Sequence, residues 1–431
     1  MKKTSFAIFA VLMLLVLAAC GAKKQETEPE EGFLPALDTS VRGIVTFAGG
    51  YDNFEALEIE FDRFNAYYPD VELVYTKIGD YNNVIGMVLN GKDAPDVYVT
   101  NSWMYGRAQY ESSIDHAEDL SDPSLGLDLA CIRSNILLKT DDGTLPMVPV
   151  FSSTYGMLVN NDLFEKEGLA VPSTYEELVS VCRAFHEKGC ISPVMGFSAK
   201  EKTSIFTLVS YPFFCATVAH DAEAVKKLNA LDPSAGAYMR PTLEMVERFL
   251  GDGCMDSDAC SAIQNNYDAV ILRFFEGDVP MMICSGDAVS GTRKRESLSE
   301  AFTARPFSYT FVPVPLSDEG AYFLDISNLQ FSVNRESPNL EIANEFMRFL
   351  ITSRELNEMA RNKGLTSPTK DLSFNSMYAA FGSIPESRIL SPEEFGLTDD
   401  AVFQVRMAVY GFATGALTID EAVASYGPLV Q

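Results

Sequence analysis

Residues 43–100 alternate between short apolar runs and stretches with apolar residues at helical spacing, and few folds accept that rhythm. The run GIVTFA at 43–48 is broken by Gly49-Gly50-Tyr51-Asp52. Phe54, Leu57, Phe61, Phe64 and Tyr68 then fall on one face of a helix, which Pro69 stops. VELVYT at 71–76 leads to a second helical face of Tyr81, Val84, Ile85, Val88 and Leu89, closed by Gly91. DVYVT at 96–100 is the third run. Strand, helix, strand, helix, strand predicts a mainly parallel sheet covered by helices, because parallel neighbours need a crossover that a helix supplies.

The pattern resumes after residue 150. Residues 156–160 read as a strand. Ser173-Thr174-Tyr175-Glu176 reads as a capping box, with Ser173 and Glu176 satisfying free amides at a helix start. Tyr175, Leu178, Cys182 and Phe185 are that helix's buried stripe, and the apolar, aromatic residues of 204–219 belong in a core. Residues 242–250 predict a helix; 279–283, 309–314 and 329–333 predict strands. Ser337-Pro338 opens a helix to residue 350, with proline where its missing amide costs nothing. Two amphipathic helices, near 399–413 and 418–425, close the chain. About 390 residues after the N-terminal segment exceed what one core usually serves, so two domains are expected.

The N-terminus bounds the compartment. Lys2 and Lys3 precede an apolar run from Phe6 to Ala19, too short for a good membrane span and typical of a secretory signal. Leu17-Ala18-Ala19-Cys20 resembles the lipobox of bacterial lipoproteins, which implies cleavage after residue 19 and lipid on Cys20. Residues 20–40 then form a polar, acidic tether that spans on the order of 25 Å as a coil. No later stretch is apolar for long enough to span a bilayer. The net charge of -27 disfavours nucleic acid and anionic lipid surfaces and is neutral about an uncharged ligand. Seven cysteines remain besides Cys20, an odd number. Cys254 and Cys260 bracket a short loop that suits a disulfide outside the cell, with Cys182–Cys190 a weaker pairing; buried free thiols are the alternative.

Several stretches in order carry a resemblance. ALEIEFDRFNAYYPDVELVY places Phe61, Phe64, Pro69 and Val71 in a helix-Pro-strand pattern and leads to Ala94-Pro95-Asp96-Val97. Tyr155-Gly156, Asn160, Leu163-Phe164, Gly168, Pro172-Ser173 and Glu177-Leu178 follow. FFEGDVPMMICSGD, then FSVNRESPNLEIANEFMRFLITS with GLTSP, and the ending GALTIDEAV complete the set. Together they resemble the extracellular solute-binding protein family 1, the maltose-binding-protein-like sugar-binding lipoproteins of ABC importers, over nearly the whole mature chain.

The resemblance implies an α/β, two-lobed periplasmic-binding-protein-like fold of type II, with three hinge crossovers and a ligand cleft between the lobes. Carried onto this chain, the crossovers fall near Val150, 310–315 and 365–369. One lobe is 41–150 plus 313–366, the other 151–312 plus 367–431. The implied role is capture of a small solute, with a mono- or oligosaccharide the first expectation, and delivery to an ABC permease. The protein would act as a monomer, lipid-anchored on the extracellular face of the membrane or in the periplasm, with no cofactor or metal.

Strand ends should carry the site, because open α/β sheets bind ligands at their carboxyl ends. After the first strand, Gly50, Tyr51, Asp52 and Asn53 offer close backbone approach and hydrogen bonds to hydroxyls; they equally make a tight turn and a helix cap. After the third come Asn101, Ser102 and Trp103, the sole tryptophan, whose face suits a pyranose or the packing of a helix start. The resemblance adds Ser152, Ser153 and Tyr155 at the first crossover, and Ser285, Gly286 and Asp287 after a later strand. Many members carry tryptophan where this chain has Asp287, so a stacking ring is exchanged for a carboxylate and a smaller, more polar or cationic ligand enters consideration. Asp325 and Asn328 lie on the approach to the second crossover. Arg293-Lys294-Arg295 reads as a solvated loop.

The rival classes are a secreted glycoside hydrolase and a sensing or adhesion lipoprotein without transport. Only three histidines occur, and His186-Glu187 lacks the second histidine of a zinc-protease helix. Gly196-Phe197-Ser198-Ala199-Lys200 breaks the nucleophile-elbow pattern at its last position, and no phosphate loop is present. No catalytic residue is therefore expected.

Overall fold

The first expected strands pair as their rhythm requires. In the computed structural model, β1 (Gly43–Gly49) runs parallel to β2 (Val71–Lys77), with Gly43 opposite Val71, and to β3 (Val97–Thr100), with Phe47 opposite Val97. The structure describes residues 33–52, 54–196, 205–263, 267–371 and 376–428. Leu37–Gln431 forms one compact unit; the unit before it, Met1–Ala36, falls almost wholly outside the described residues, and Cys20 with it.

The remaining strands are β4 (Val148–Ser153), β5 (Tyr155–Asn160), β6 (Val194–Gly196), β7 (Met281–Ser285), β8 (Tyr309–Val312), β9 (Phe323–Leu324), β10 (Ile326–Val333) and β11 (Ile389–Leu390). The first sheet has the order β2-β1-β3-β10-β4, and β10 is antiparallel to both neighbours. The second has the order β6-β7-β5-β8; β6 and β7 are parallel, and β5 is antiparallel to β7 and β8. β9 and β11 make a small parallel pair.

Each sheet has its own core. On the first, Phe47 meets Phe61 of the Glu55–Asn65 helix at 4.7 Å between ring centres and Phe346 of the Leu340–Leu350 helix at 5.0 Å. Each buried ring of this kind contributes about 1.5–3 kcal/mol. Asp96, just before β3, is buried and fully used: Oδ2 accepts from Thr46 N at 2.7 Å and Thr46 Oγ1 at 2.8 Å, and Ser337 donates to Oδ1. On the second sheet the apolar stretch forms the Ile205–Val218 helix, which buries Phe214, Cys215 and Val218.

The chain passes between the sheets three times. Thr154 alone links β4 to β5, residues 313–325 link β8 to β10, and after the Ser353–Lys363 helix the chain, described to Asp371, is described again from Ser376 in a short helix packed on β8 of the second sheet. Arg133 ties the three passages together. Its guanidinium donates to Asp325 (Nε to Oδ2 2.7 Å, Nη2 to Oδ1 2.6 Å), to Ser152 Oγ (2.9 Å), and to the carbonyls of Ser367 (2.9 Å) and Thr369 (2.7 Å). Both charges of the Arg133–Asp325 pair are buried.

Two expectations are corrected, and one that was open is decided. The helix at 175 starts one residue later than the capping-box reading requires: Thr174 is the cap and Glu177 its reciprocal partner, with Ser173 also donating to Glu177 Oε2. The helix expected from Ser337-Pro338 begins at Leu340, because Ser337 is engaged with Asp96 and Asn339 takes the cap position. All seven described cysteines are free. Cys254 and Cys260 are both buried free thiols, the alternative that the sequence left open beside a 254–260 bridge; a hydrogen bond with Cys254 and burial push the Cys182 thiol far up, and burial pushes Cys260 up to about 11. Among the described residues no helix is long and apolar enough to cross a membrane.

Candidate ligand cleft

Two cavities open between the sheets, of about 650 and 680 Å³, and Trp103 lines both. Such volumes are in the range that holds a small organic ligand. Trp103 sits in a single turn, Ser102–Met104, directly after β3, 45 % exposed as a residue and with the Arg107 guanidinium 5.9 Å from its ring centre.

The first cavity is walled by Trp103, Tyr105, Tyr110, Tyr155, Tyr211 and Phe395, with Glu393 and Arg406 between the rings. Tyr155 begins β5, and its ring lies 6.2 Å from that of Tyr211. Glu393 crosses from the second sheet's side to the first: Oε1 accepts from Ser327 N at 3.0 Å and from Ser102 Oγ at 3.3 Å, while Oε2 accepts from Ser391 Oγ at 3.2 Å. Burial pushes the Glu393 carboxyl up to about 7, and the nearby Asp325 charge adds to the rise.

The second cavity takes Gly50, Tyr51, Asn101, Asp287 and Asn328. Tyr51 N is held by Tyr75 Oη at 3.0 Å, and Lys363 Nζ lies 4.6 Å from the Tyr51 ring centre. Asn101 donates to Asn82 Oδ1 at 2.7 Å. Asn328 Nδ2 donates to Asp287 Oδ1 at 2.8 Å, and Asn328 Oδ1 is buried without a partner. Asp287 is open to water through the cavity but set deep among protein on its other sides, so burial raises its pKa while the group stays reachable. A reachable carboxylate and an orphaned amide oxygen side by side suit a ligand rich in hydroxyl groups.

Other expected residues stand elsewhere. Asp52 is exposed and paired with Lys77, off the cavity walls. Asn53 lies outside the described residues. Ser152 and Asp325 are buried on Arg133, where they knit the crossings rather than face the cleft. Ser153 and Gly286 pack together: a Cβ on Gly286 would meet Ser153 Oγ at 2.5 Å, which only glycine avoids. Ser285, at the end of β7, is half-buried and lines neither cavity.

The sequence reading misses Tyr211, Glu393, Arg406 and a contact across the cleft mouth. Asp399, at the start of the Asp399–Ala413 helix, pairs with Arg107, and its backbone N–H donates to Tyr105 O at 3.2 Å. Gly106 sits between them at φ +87, and a Cβ there would come within 2.9 Å of Thr398. Arg107-Asp399 carries no local signal, since the partners are 292 positions apart. Among the described residues no cluster of side chains is placed to hold a metal ion.

Two α/β layers joined by three passages, with an aromatic and polar cleft between them, are the architecture of a two-lobed binding protein. The chain belongs to the bacterial extracellular solute-binding protein family, whose pattern matches residues 48–355. It is 21% identical over 387 residues to the melibiose/raffinose/stachyose-binding protein MelE of Bacillus subtilis (strain 168), covering 88% of this chain and 84% of MelE. In structure it is similar to the apo form of RafE from Streptococcus pneumoniae, with a TM-score of 0.68 at 17% identity over 91% of this chain and 97% of RafE. It is also similar to a sugar transporter of Bacillus licheniformis in complex with stachyose, with a TM-score of 0.59 at 17% identity over 89% of this chain and 98% of that one.

Proposed function

We propose that this chain is the capture component of an ABC importer, taking an oligosaccharide into the cleft, closing over it and handing it unaltered to the permease. The observation that carries the reading is the pair of cavities between the sheets, aromatic on their walls and joined at Trp103. Rings of this kind stack on the apolar faces of pyranoses, while Asn101, Asp287 and Asn328 meet hydroxyls. MelE is named for melibiose, raffinose and stachyose, which supports a carbohydrate. The lobes 41–150 plus 313–366 and 151–312 plus 367–431 swing about the three passages, and a ligand touching both favours the closed form. Lipid on Cys20 and the tether of 20–40 hold the monomer at the outer face of the membrane.

The test is calorimetry of the chain with raffinose, stachyose and their monosaccharides, paired with small-angle scattering. A dissociation constant near 1 μM corresponds to about -8 kcal/mol, within reach of one stacked ring and a few hydrogen bonds in a closed cleft. Binding with a smaller radius of gyration is expected. Saturation without any change in radius refutes closure, and release of hydrolysis products refutes capture without chemistry.

A further inference from the structure

We infer that the captured solute carries a carboxylate and that Arg406 receives it, an inference that rests on the carbohydrate reading above. Arg406 stands on the Asp399–Ala413 helix and lines the 650 Å³ cavity. Its Nε is buried without a partner, and the guanidinium makes no hydrogen bond or ion pair with any described residue. The other arginines named above are engaged: Arg133 on Asp325 and three further acceptors, Arg107 on Asp399. Arginine cannot shed its proton, so an orphaned buried donor keeps a desolvation penalty that only an acceptor from outside relieves.

The charge around this cavity points the same way. The chain has 60 acidic residues against 33 basic ones, yet this cavity's lining holds three basic side chains, Lys139, Lys226 and Arg406, against three acidic ones. Lys139 and Lys226 stand exposed in its lining, and neither is ion-paired among the described residues. The acids of the same wall are mostly spoken for. Asp399 is paired with Arg107, and Glu393 is held by Ser102, Ser327 and Ser391, which leaves Glu394 exposed at the rim. Lys139, Lys226 and Arg406 thus have no ionic partner among the described residues, while of the acids only Glu394 stands at the rim without one, so an anionic ligand meets more unpaired positive than negative charge here.

Guanidinium presents parallel N–H groups that match a carboxylate in two places. Tyr155 and Tyr211 lie within electrostatic reach of Arg406. A uronic acid meets both demands, with a pyranose face for the rings and a carboxylate at the ring edge for Arg406.

Calorimetry on the full chain decides it, with digalacturonate, raffinose and galactose 6-phosphate as probes, at low and high ionic strength. The expected result is binding of digalacturonate at least about tenfold tighter than raffinose, weakened by salt. Arg406→Gln should lower digalacturonate affinity by about 10- to 100-fold, at least about tenfold more than it lowers raffinose affinity. Arg406→Lys, which keeps the charge but loses the fork, should recover only part of the loss. Equal affinity for raffinose, lowered alike by Arg406→Gln, overturns the inference and leaves sugar capture standing. Tighter binding of galactose 6-phosphate than of digalacturonate overturns the carboxylate assignment. Heat from none of the three overturns the inference and counts against the carbohydrate reading as well. Should Arg406→Gln fail to melt cooperatively, the wild-type salt dependence decides, and its absence is the refuting result.

Discussion

Replacing Arg133 with methionine removes one charge at the point where the three passages between the sheets meet. The five hydrogen bonds of the guanidinium, at 2.6 to 2.9 Å, disappear together. Methionine fills much of the same space, so the loss is electrostatic rather than a cavity. Asp325, fully buried, keeps only Asn135 Nδ2 at 3.1 Å. Removing one partner of a buried pair costs about 3–5 kcal/mol, because the other charge stays buried and uncompensated. The orphaned carbonyl of Thr369 keeps the figure at the upper end, whereas that of Ser367 still accepts from Ser152 Oγ at 3.2 Å. In a chain of this length that lowers the melting temperature by on the order of 5 °C. The double variant Arg133→Met with Asp325→Leu removes both charges and is expected to recover about half of the loss, leaving the cost of the bare Thr369 carbonyl at about 1–3 kcal/mol. Urea denaturation of wild type, single and double variants is the assay. A single variant within about 1 kcal/mol of wild type, or a double no better than the single, refutes the assignment of Arg133 as the knot of the crossings.

Trp103→Ala is expected to weaken sugar binding about tenfold, and emission from this lone tryptophan should change on saturation; equal affinity by calorimetry takes Trp103 out of the site. The folded Glu393 carboxyl, near 7, lies above its ordinary value of 4.5, so its burial costs stability progressively as pH rises from 4.5 to 7 and in full above that. Glu393→Gln, neutral throughout, should therefore lose less stability than wild type over that window, and parallel stability profiles refute the shift. Cys20→Ala should move the protein out of the membrane fraction; unchanged mass and fractionation would speak against the lipid anchor.

Much of the first sheet is legible in the sequence, because β1, β2 and β3 are each announced by local spacing and the helices between them force a parallel order. β10 is legible as a strand, but its insertion between β3 and β4 is not: nothing local ties Gln330 to Thr100, 230 positions away. The same distinction runs through the cleft. Trp103, Asn101 and Tyr51 are found by position, each following a strand end. Asp287 is found as a departure from the family pattern. Ser152 and Asp325 are polar residues near a crossover, and sequence cannot tell a residue facing ligand from one facing Arg133. Glu393 is one of 60 acids, and only the fold brings it beneath Ser102 and Ser327. The capping box errs by a single residue because Ser173 and Thr174 are chemically equivalent caps, both within reach of Glu177.

Thr154 has a mechanical consequence. A single residue between β4 and β5 fixes adjacent Cα atoms at about 3.8 Å, so at this point the two sheets cannot slide past each other or separate. Its carbonyl accepts from Gly286 N at 2.9 Å, and its side chain is buried, which removes further freedom. The closure proposed above is thereby reduced to rotation through a few torsions next to Thr154. Arg133 grips both longer passages near the same place, at Asp325 in 313–325 and at Ser367 and Thr369 beyond the Ser353–Lys363 helix. A pair of glycines inserted after Thr154 turns a pin joint into a loose tether, whereas the same pair within 313–325 leaves the axis where it was.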